Sequence, residues 1–121
     1  MKINLKATNI IITPEISDYL DKRLQGIEKF LPADKDSFTI SVELGKTTKH
    51  HQTGDIFRAE IMIYIGGQTF RAVSENIDLY SSIDDMKDEV GRELASHKEK
   101  RLSILRRGGQ RLKNIIRKFY R

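Results

Sequence analysis

Phe57-Arg58-Ala59-Glu60-Ile61-Met62-Ile63-Tyr64-Ile65-Gly66-Gly67-Gln68-Thr69-Phe70-Arg71-Ala72-Val73-Ser74 decides the architecture of this chain. Phe57, Ala59, Ile61, Ile63 and Ile65 alternate, with Arg58 and Glu60 on the other side. That period of two gives a strand one buried face. Gly66-Gly67 follows at once, and glycine tolerates the positive φ that a two-residue hairpin turn demands. The chain is therefore expected to fold back on itself through Gln68 to Ser74.

Upstream of this ribbon, Phe38, Ile40, Val42 and Leu44 alternate as a further strand. A polar loop bounded by Gly45 and Gly54 joins the two. Lys2 to Thr8, with Ile3, Leu5 and Ala7 on one side, reads as a half-buried strand. A helix lies between, with Thr13 as N-cap, Pro14 at the first helical position and Glu15 near the positive dipole end. Ile16, Leu20, Leu24, Ile27 and Leu31 form its buried stripe, and Pro32 is expected to end it.

Downstream of the ribbon, Asp78 can cap a second helix, whose stripe is Leu79, Ile83, Met86, Val90, Leu94 and His97. It can continue to Arg107, with Gly108-Gly109 as its stop. The order β-α-β-β-β-α, with antiparallel strands and both helices on one face, makes an α+β two-layer sandwich on a four-stranded sheet. Residues 1–107 form the domain. Residues 108–121 form a basic amphipathic tail, with Leu112, Ile115, Ile116 and Phe119 at helical spacing. Twelve or so residues are marginal as a helix in water, so the tail is expected to order only on a partner.

Composition narrows the function. A chain of 121 residues is one domain and buries roughly two thirds of its unfolded surface. No run of about 20 apolar residues is present to span a membrane, and Met1 to Lys6 has no signal-peptide block. Zero cysteines exclude a disulfide scaffold, a thiolate metal site and a thiol nucleophile. The expected compartment is the cytoplasm.

The net charge of +5 hides a division. Nine of the 22 lysines and arginines follow Glu99, and none of the 17 acidic residues does. A mildly acidic body with a strongly basic end is a polyanion-binding arrangement.

Other constellations are weaker. His50 and His51 are adjacent and point to opposite sides in extended chain, so they do not readily chelate one ion. Asp84, Asp85, Asp88 and Glu89 could suggest acid–base chemistry, but Asp84 and Asp88 share a helix face as a mildly repulsive surface pair. The serines lack a nucleophile elbow, and Gly66-Gly67 lacks the ending of a phosphate loop. No enzyme, metal, cofactor or small-molecule substrate is expected. His97 is a structural side chain or a phosphate donor beside Lys98 and Lys100.

The basic series remains. Arg23 and Lys29 decorate the first helix, and Lys87, Arg92, Lys98, Lys100 and Arg101 the second. Arg106, Arg107, Arg111, Lys113, Arg117 and Lys118 continue it into the tail. Lysines and arginines that meet phosphates release counterions, and this spacing suits shape-based reading of RNA.

Three stretches resemble the ribosome hibernation factors: Asn9 through Ile16, Phe57-Arg58-Ala59-Glu60, and Asp78 to Lys100. The likeness spans residues 2 to 101. Asp78, Tyr80, Ile83, Asp84, Asp88, Arg92, Leu94, His97, Lys98 and Lys100 match the family's last segment. The resemblance implies a β-α-β-β-β-α fold similar to double-stranded-RNA-binding domains. It also implies a non-catalytic protein, monomeric when free, that binds the small ribosomal subunit. Its helices would lie against 16S rRNA in the channel for transfer and messenger RNA and stop translation by occupancy.

Glu89, Glu93 and Ser96 depart from the family by lowering the charge of one helix flank, while Lys87 raises the other. Long forms carry a further dimerising domain; here only the basic tail follows, so that mechanism is not expected. The alternatives are a general double-stranded-RNA-binding module or RNA chaperone, and a membrane-surface anchor in residues 110–121.

Overall fold

The structure, a computed structural model, describes residues 2–47 and 54–119, with side chains at all of these except 102–105 and 108–119. The elements are β1 (Ile3–Thr8), α1 (Pro14–Gln25), β2 (Phe38–Thr47), β3 (Ile56–Ile65), β4 (Gln68–Asn76) and α2 (Leu79–Phe119). Their order is the expected one. Gly66 and Gly67 have φ of 54° and 83°, and Ile65 sits opposite Gln68 in the ladder. The hairpin therefore closes through a left-handed two-residue turn.

The sheet runs β1-β2-β3-β4. It is mixed, not antiparallel throughout, because β1 and β2 pair in parallel with Ile3 opposite Ile40 and Ala7 opposite Leu44. The reason is the crossover. α1 returns the chain to the end where β1 began, so β2 runs alongside β1 in the same direction. β2, β3 and β4 are antiparallel neighbours.

One face of the sheet is buried by Ile40, Val42, Leu44, Ala59, Ile61, Ile63 and Ala72 under the helices. Leu20, Leu24 and Ile27 meet them from the first helical segment, and Leu79, Ile83, Met86, Val90 and Leu94 from α2. The stripes read from periodicity are thus core. Edge strand β1 is the exception: Leu5 is 36% exposed although it lies in register with buried Val42.

Both caps form. Thr13 Oγ1 accepts from the Ile16 amide at 3.3 Å, and the Asp78 carboxylate accepts from the amides of Tyr80 and Ser81 at 3.3 and 3.2 Å. Buried Ser82 adds a tie that the sequence did not suggest. Its hydroxyl donates to the Phe57 carbonyl at 2.9 Å, which fixes the first turn of α2 to the start of β3.

Two helix ends differ from expectation. α1 ends at Gln25, well before Pro32; Gly26 caps it, and a 3-10 turn at Glu28–Phe30 carries the chain onward. Glycine is a poor helix former, and here it also gives room, since a Cβ at Gly26 would stand 3.0 Å from Lys87 Cε. α2 does not stop at Gly108-Gly109 but runs through them to Phe119. Two glycines cost about 1 kcal/mol each against alanine. The arginines, lysine, leucine and glutamine around them favour helix, and no proline follows to end it.

The sheet's other face is not covered by the helices. On it Glu60 accepts from Arg58 at 2.7 Å and from Arg71 at 2.6 Å, its side chain 18% exposed. The hydrogen bond from Arg71, with help from Arg58 and against the effect of burial, holds this carboxyl below its ordinary value of 4.5. A depressed carboxylate contributes stability that is present above its unfolded pKa and lost as pH falls through the folded one. Glu60→Gln should therefore cost roughly 1–2 kcal/mol at pH 7. It should also flatten the acid limb below about pH 4.5, where the native protein loses this contribution. Urea titrations at pH 7 and in that acid range check both effects.

Candidate nucleic-acid interface

α1 and α2 start at the same end of the sheet and run side by side in the same direction. Their cross-contacts rise together along both: Tyr19 with Tyr80, Arg23 with Asp84, and Gly26 with Lys87. The outer surface of this pair is where the basic residues of the body gather.

The upper half of the surface is engaged internally. Tyr19 donates to Asp84 Oδ1 at 2.7 Å, and Arg23 Nε lies 3.1 Å from the Tyr19 hydroxyl and 2.9 Å from the same carboxylate oxygen. The Tyr19 and Tyr80 rings meet edge to face at 4.8 Å. Donation to Asp84 raises the Tyr19 pKa, and bonding to Tyr19 beside Asp84 raises that of Arg23. Lys87, half-buried against Gly26, pairs with Asp88 at 3.4 Å. Arg23 thus clasps the two helices in the free protein, Lys87 is paired along its own helix, and Asp84 is no idle member of an acidic surface row.

Sequence spacing held a signal for this clasp. Tyr19 with Arg23 and Tyr80 with Asp84 are both i, i+4 pairs, which place each couple on one helix face. Only the parallel packing of the helices shows that the couples face each other. Asp84→Asn should lower stability by about 0.5–1 kcal/mol, because the network is partly solvated. It should also reduce the elevation of the Tyr19 pKa, whose largest cause is the hydrogen bond to Asp84. Thermal melts and a spectrophotometric tyrosine titration read the two effects.

The lower half is open and cationic, centred on His97. Its ring packs edge-on to Phe70 at 5.2 Å, a structural role. On one side lies a cleft of about 320 Å³, with Phe30, Leu31, Pro32, Ile65 and Leu94 inside and Lys29, Lys98 and Arg101 around it. Lys98 Nζ donates to the Lys29 carbonyl at 3.3 Å, bringing the turn after α1 against α2. On the other side is a shallower cleft of about 440 Å³ lined by Phe70, Arg92, Glu93, Ser96, His97 and Lys100. Glu93, the departure noted above, puts one acid into that cleft. Arg92, Lys100 and Arg101 are exposed and form no ion pair with another described residue. Five cations around two clefts with an apolar floor suit several phosphates along a rigid backbone.

Arg106 and Arg107 follow, exposed, on the same helix. Arg111, Lys113, Arg117 and Lys118 sit at helical positions of α2, with side chains outside the described residues. His50 and His51 also lie outside them. Among the described residues, no group of three or more His, Cys, Asp or Glu is placed to hold a metal ion, and no helix is long and apolar enough to cross a membrane.

Residues 3–102 match the family model described as Sigma 54 modulation protein / S30EA ribosomal protein. The chain is 30% identical over 101 residues to a ribosome hibernation promotion factor from Picosynechococcus, covering 83% of this chain and 50% of that protein, so it spans half the length of that relative. It is 29% identical over 105 residues to the ribosome hibernation promoting factor of Pseudomonas putida, covering 87% of this chain and 94% of the other. The crystal structure of the Thermus thermophilus Protein Y N-terminal domain superposes with a TM-score of 0.63 at 26% identity, over 78% of this chain and 96% of that one. With its element order, mixed sheet and basic second helix, the chain belongs to the Sigma 54 modulation protein / S30EA ribosomal protein family, that of the ribosome hibernation promoting factors.

Proposed function

We propose that this protein is a non-catalytic ribosome hibernation factor that binds 16S rRNA of the small subunit, in the channel for transfer and messenger RNA, and halts translation by occupancy in the cytoplasm. The observation that carries this reading is the set Lys29, Arg92, Lys98, Lys100 and Arg101, gathered by the helix pair around His97. The names of its relatives point the same way. The surface offers phosphate contacts and no interleaved row of stacking aromatics, so it suits shape recognition of folded RNA. Arg106, Arg107, Arg111, Lys113, Arg117 and Lys118 extend the contact along residues 108–121 and the turn before them.

Co-sedimentation with purified small subunits at low and high salt tests the proposal. Binding at low salt that weakens with salt is the expected outcome, and no binding at low salt would sink it. Footprinting then locates the site. Protection confined to the decoding channel supports occupancy, whereas scattered protection of helices would make this a general double-stranded-RNA-binding module. Removing residues 108–121 should leave the body folded and flatten the salt dependence by roughly 0.7–0.9 log units for each phosphate the tail neutralises.

A further inference from the structure

The cleft of about 320 Å³ beside His97 joins an apolar wall to a cationic rim. Three parts of the fold build the wall. Phe30, Leu31 and Pro32 stand at the end of the 3-10 turn that follows α1, Ile65 closes β3, and Leu94 lies in α2. Leu94 is buried core, whereas the other four are half-buried at the opening. The turn is held in place within the free chain. The Phe30 amide donates to the Ile27 carbonyl and the Leu31 amide to the Glu28 carbonyl, both at 3.0 Å, and Lys98 Nζ donates to the Lys29 carbonyl at 3.3 Å. A preformed seat costs little ordering when it is filled.

Lys29, Lys98 and Arg101 complete the lining, and among the described residues no acid is part of it. Lys29 Nζ lies 5.2 Å from the Phe30 ring centroid, so charge and aromatic body are adjacent. Phosphate alone would meet the cations and gain nothing from the apolar wall. An aliphatic group would fill the wall and leave the cations unanswered. A nucleotide has both parts, a flat base with a π face and an anionic phosphate one sugar away. The volume lies at the low end for small-ligand sites, which suits one base and not a stack of them. His97 lines both this cleft and the one that holds Arg92 and Lys100. Phosphates on the same strand as a seated nucleotide therefore find further cations across His97, which a free nucleotide does not reach.

We propose that this cleft seats one unstacked nucleotide of the bound RNA, its base against Phe30 and the apolar wall and its phosphate on Lys29, Lys98 and Arg101. The inference rests on the RNA-binding reading above and adds a preference to it, for folded RNA with a base extruded at a bulge or loop over an uninterrupted duplex. Such a base is already out of the stack, so its capture costs least.

Fluorescence anisotropy with the full chain at ~0.05 M salt compares three RNA hairpins: one fully paired, one with a single bulged adenosine, and one with an abasic nucleotide in place of that adenosine. The bulged hairpin should bind about tenfold tighter than either of the others, within the range that stacking of one base contributes. The abasic hairpin has the same backbone, so its ratio to the bulged one reads the base alone. Phe30→Leu keeps apolar bulk and removes the aromatic face. It should bring that ratio to about threefold or less, while Phe30→Tyr should keep it. On the native chain, methyl NMR should show Ile65 and Leu94 shifting with the bulged hairpin and not with the abasic one. Equal affinity for all three hairpins, a ratio untouched by Phe30→Leu, or unmoved Ile65 and Leu94 methyls would each overturn the seat while leaving RNA binding in place. Adenosine 5′-monophosphate binding there more tightly than the bulged hairpin would assign the cleft to a free nucleotide and overturn it too. Failure of every hairpin to bind would remove the RNA reading itself, and the seat with it.

Discussion

Arg92→Glu combined with Lys98→Glu should weaken ribosome binding by on the order of 10²-fold near 0.1 M salt, with residues 108–121 still in place. The two residues stand on opposite flanks of His97, one at each cleft, so the pair tests the whole lower surface at once. Each reversal removes a phosphate contact and adds a repulsive charge. The salt slope should therefore fall by about 1.5 log units for the two positions together. Folding should be nearly untouched. Both positions are exposed, and Lys98 loses only one hydrogen bond to the Lys29 carbonyl. Filter binding or co-sedimentation across a salt series gives both numbers, with a thermal melt as control. Unchanged affinity would remove this surface from the interface.

Ile83→Ala should produce the largest loss of stability among single truncations in α2. Ile83 is fully buried in the second turn of the helix, next to Ser82, which is tied to the β3 backbone. That tie holds the turn in place, so the helix cannot settle inward to fill the space left by the deleted carbons. Truncations of this kind cost about 2–5 kcal/mol, at the upper end where relaxation is blocked. For a domain of this size the melting temperature should fall by roughly 10 °C or more. Ile11→Ala makes the contrast, since Ile11 is 85% exposed and its truncation should move the melt very little. Equal effects at the two positions would contradict the core described here.

Much of this fold could be read from single residues. The hairpin rests on Gly66-Gly67, both caps on Thr13 and Asp78, and the core on two apolar stripes, each a local signal with a local physical cause. The direction of β1 relative to β2 was not legible in the same way. It depends on where α1 carries the chain, a property of the whole crossover. The glycine pair in α2 misled for a related reason. Glycine at a helix end and glycine inside a helix are the same residue, and only the flanking chain separates them. At the surface, the sequence singled out Arg23, Lys29, Lys87, Arg92, Lys98, Lys100 and Arg101 but not which of them are engaged within the free protein. Arg23 differs from Arg92 and Lys100 through the Asp84 and Tyr19 network that the paired helices assemble beside it.

The parallel run of α1 and α2 also has an effect on how the protein travels. Asp78, Asp84, Asp85 and Asp88 lie toward the starting end of the helix pair, while Lys29, Lys98, Lys100 and Arg101 lie toward the far end. The molecule is therefore an electric dipole as well as a cation. Near a large polyanion it experiences a torque that turns its far end forward before any contact forms. Such orientation acts on the rate of productive encounter, and it fades with ionic strength even where the final contacts persist. A variant that exchanged acids and bases between the two ends, at constant net charge, would arrive backwards.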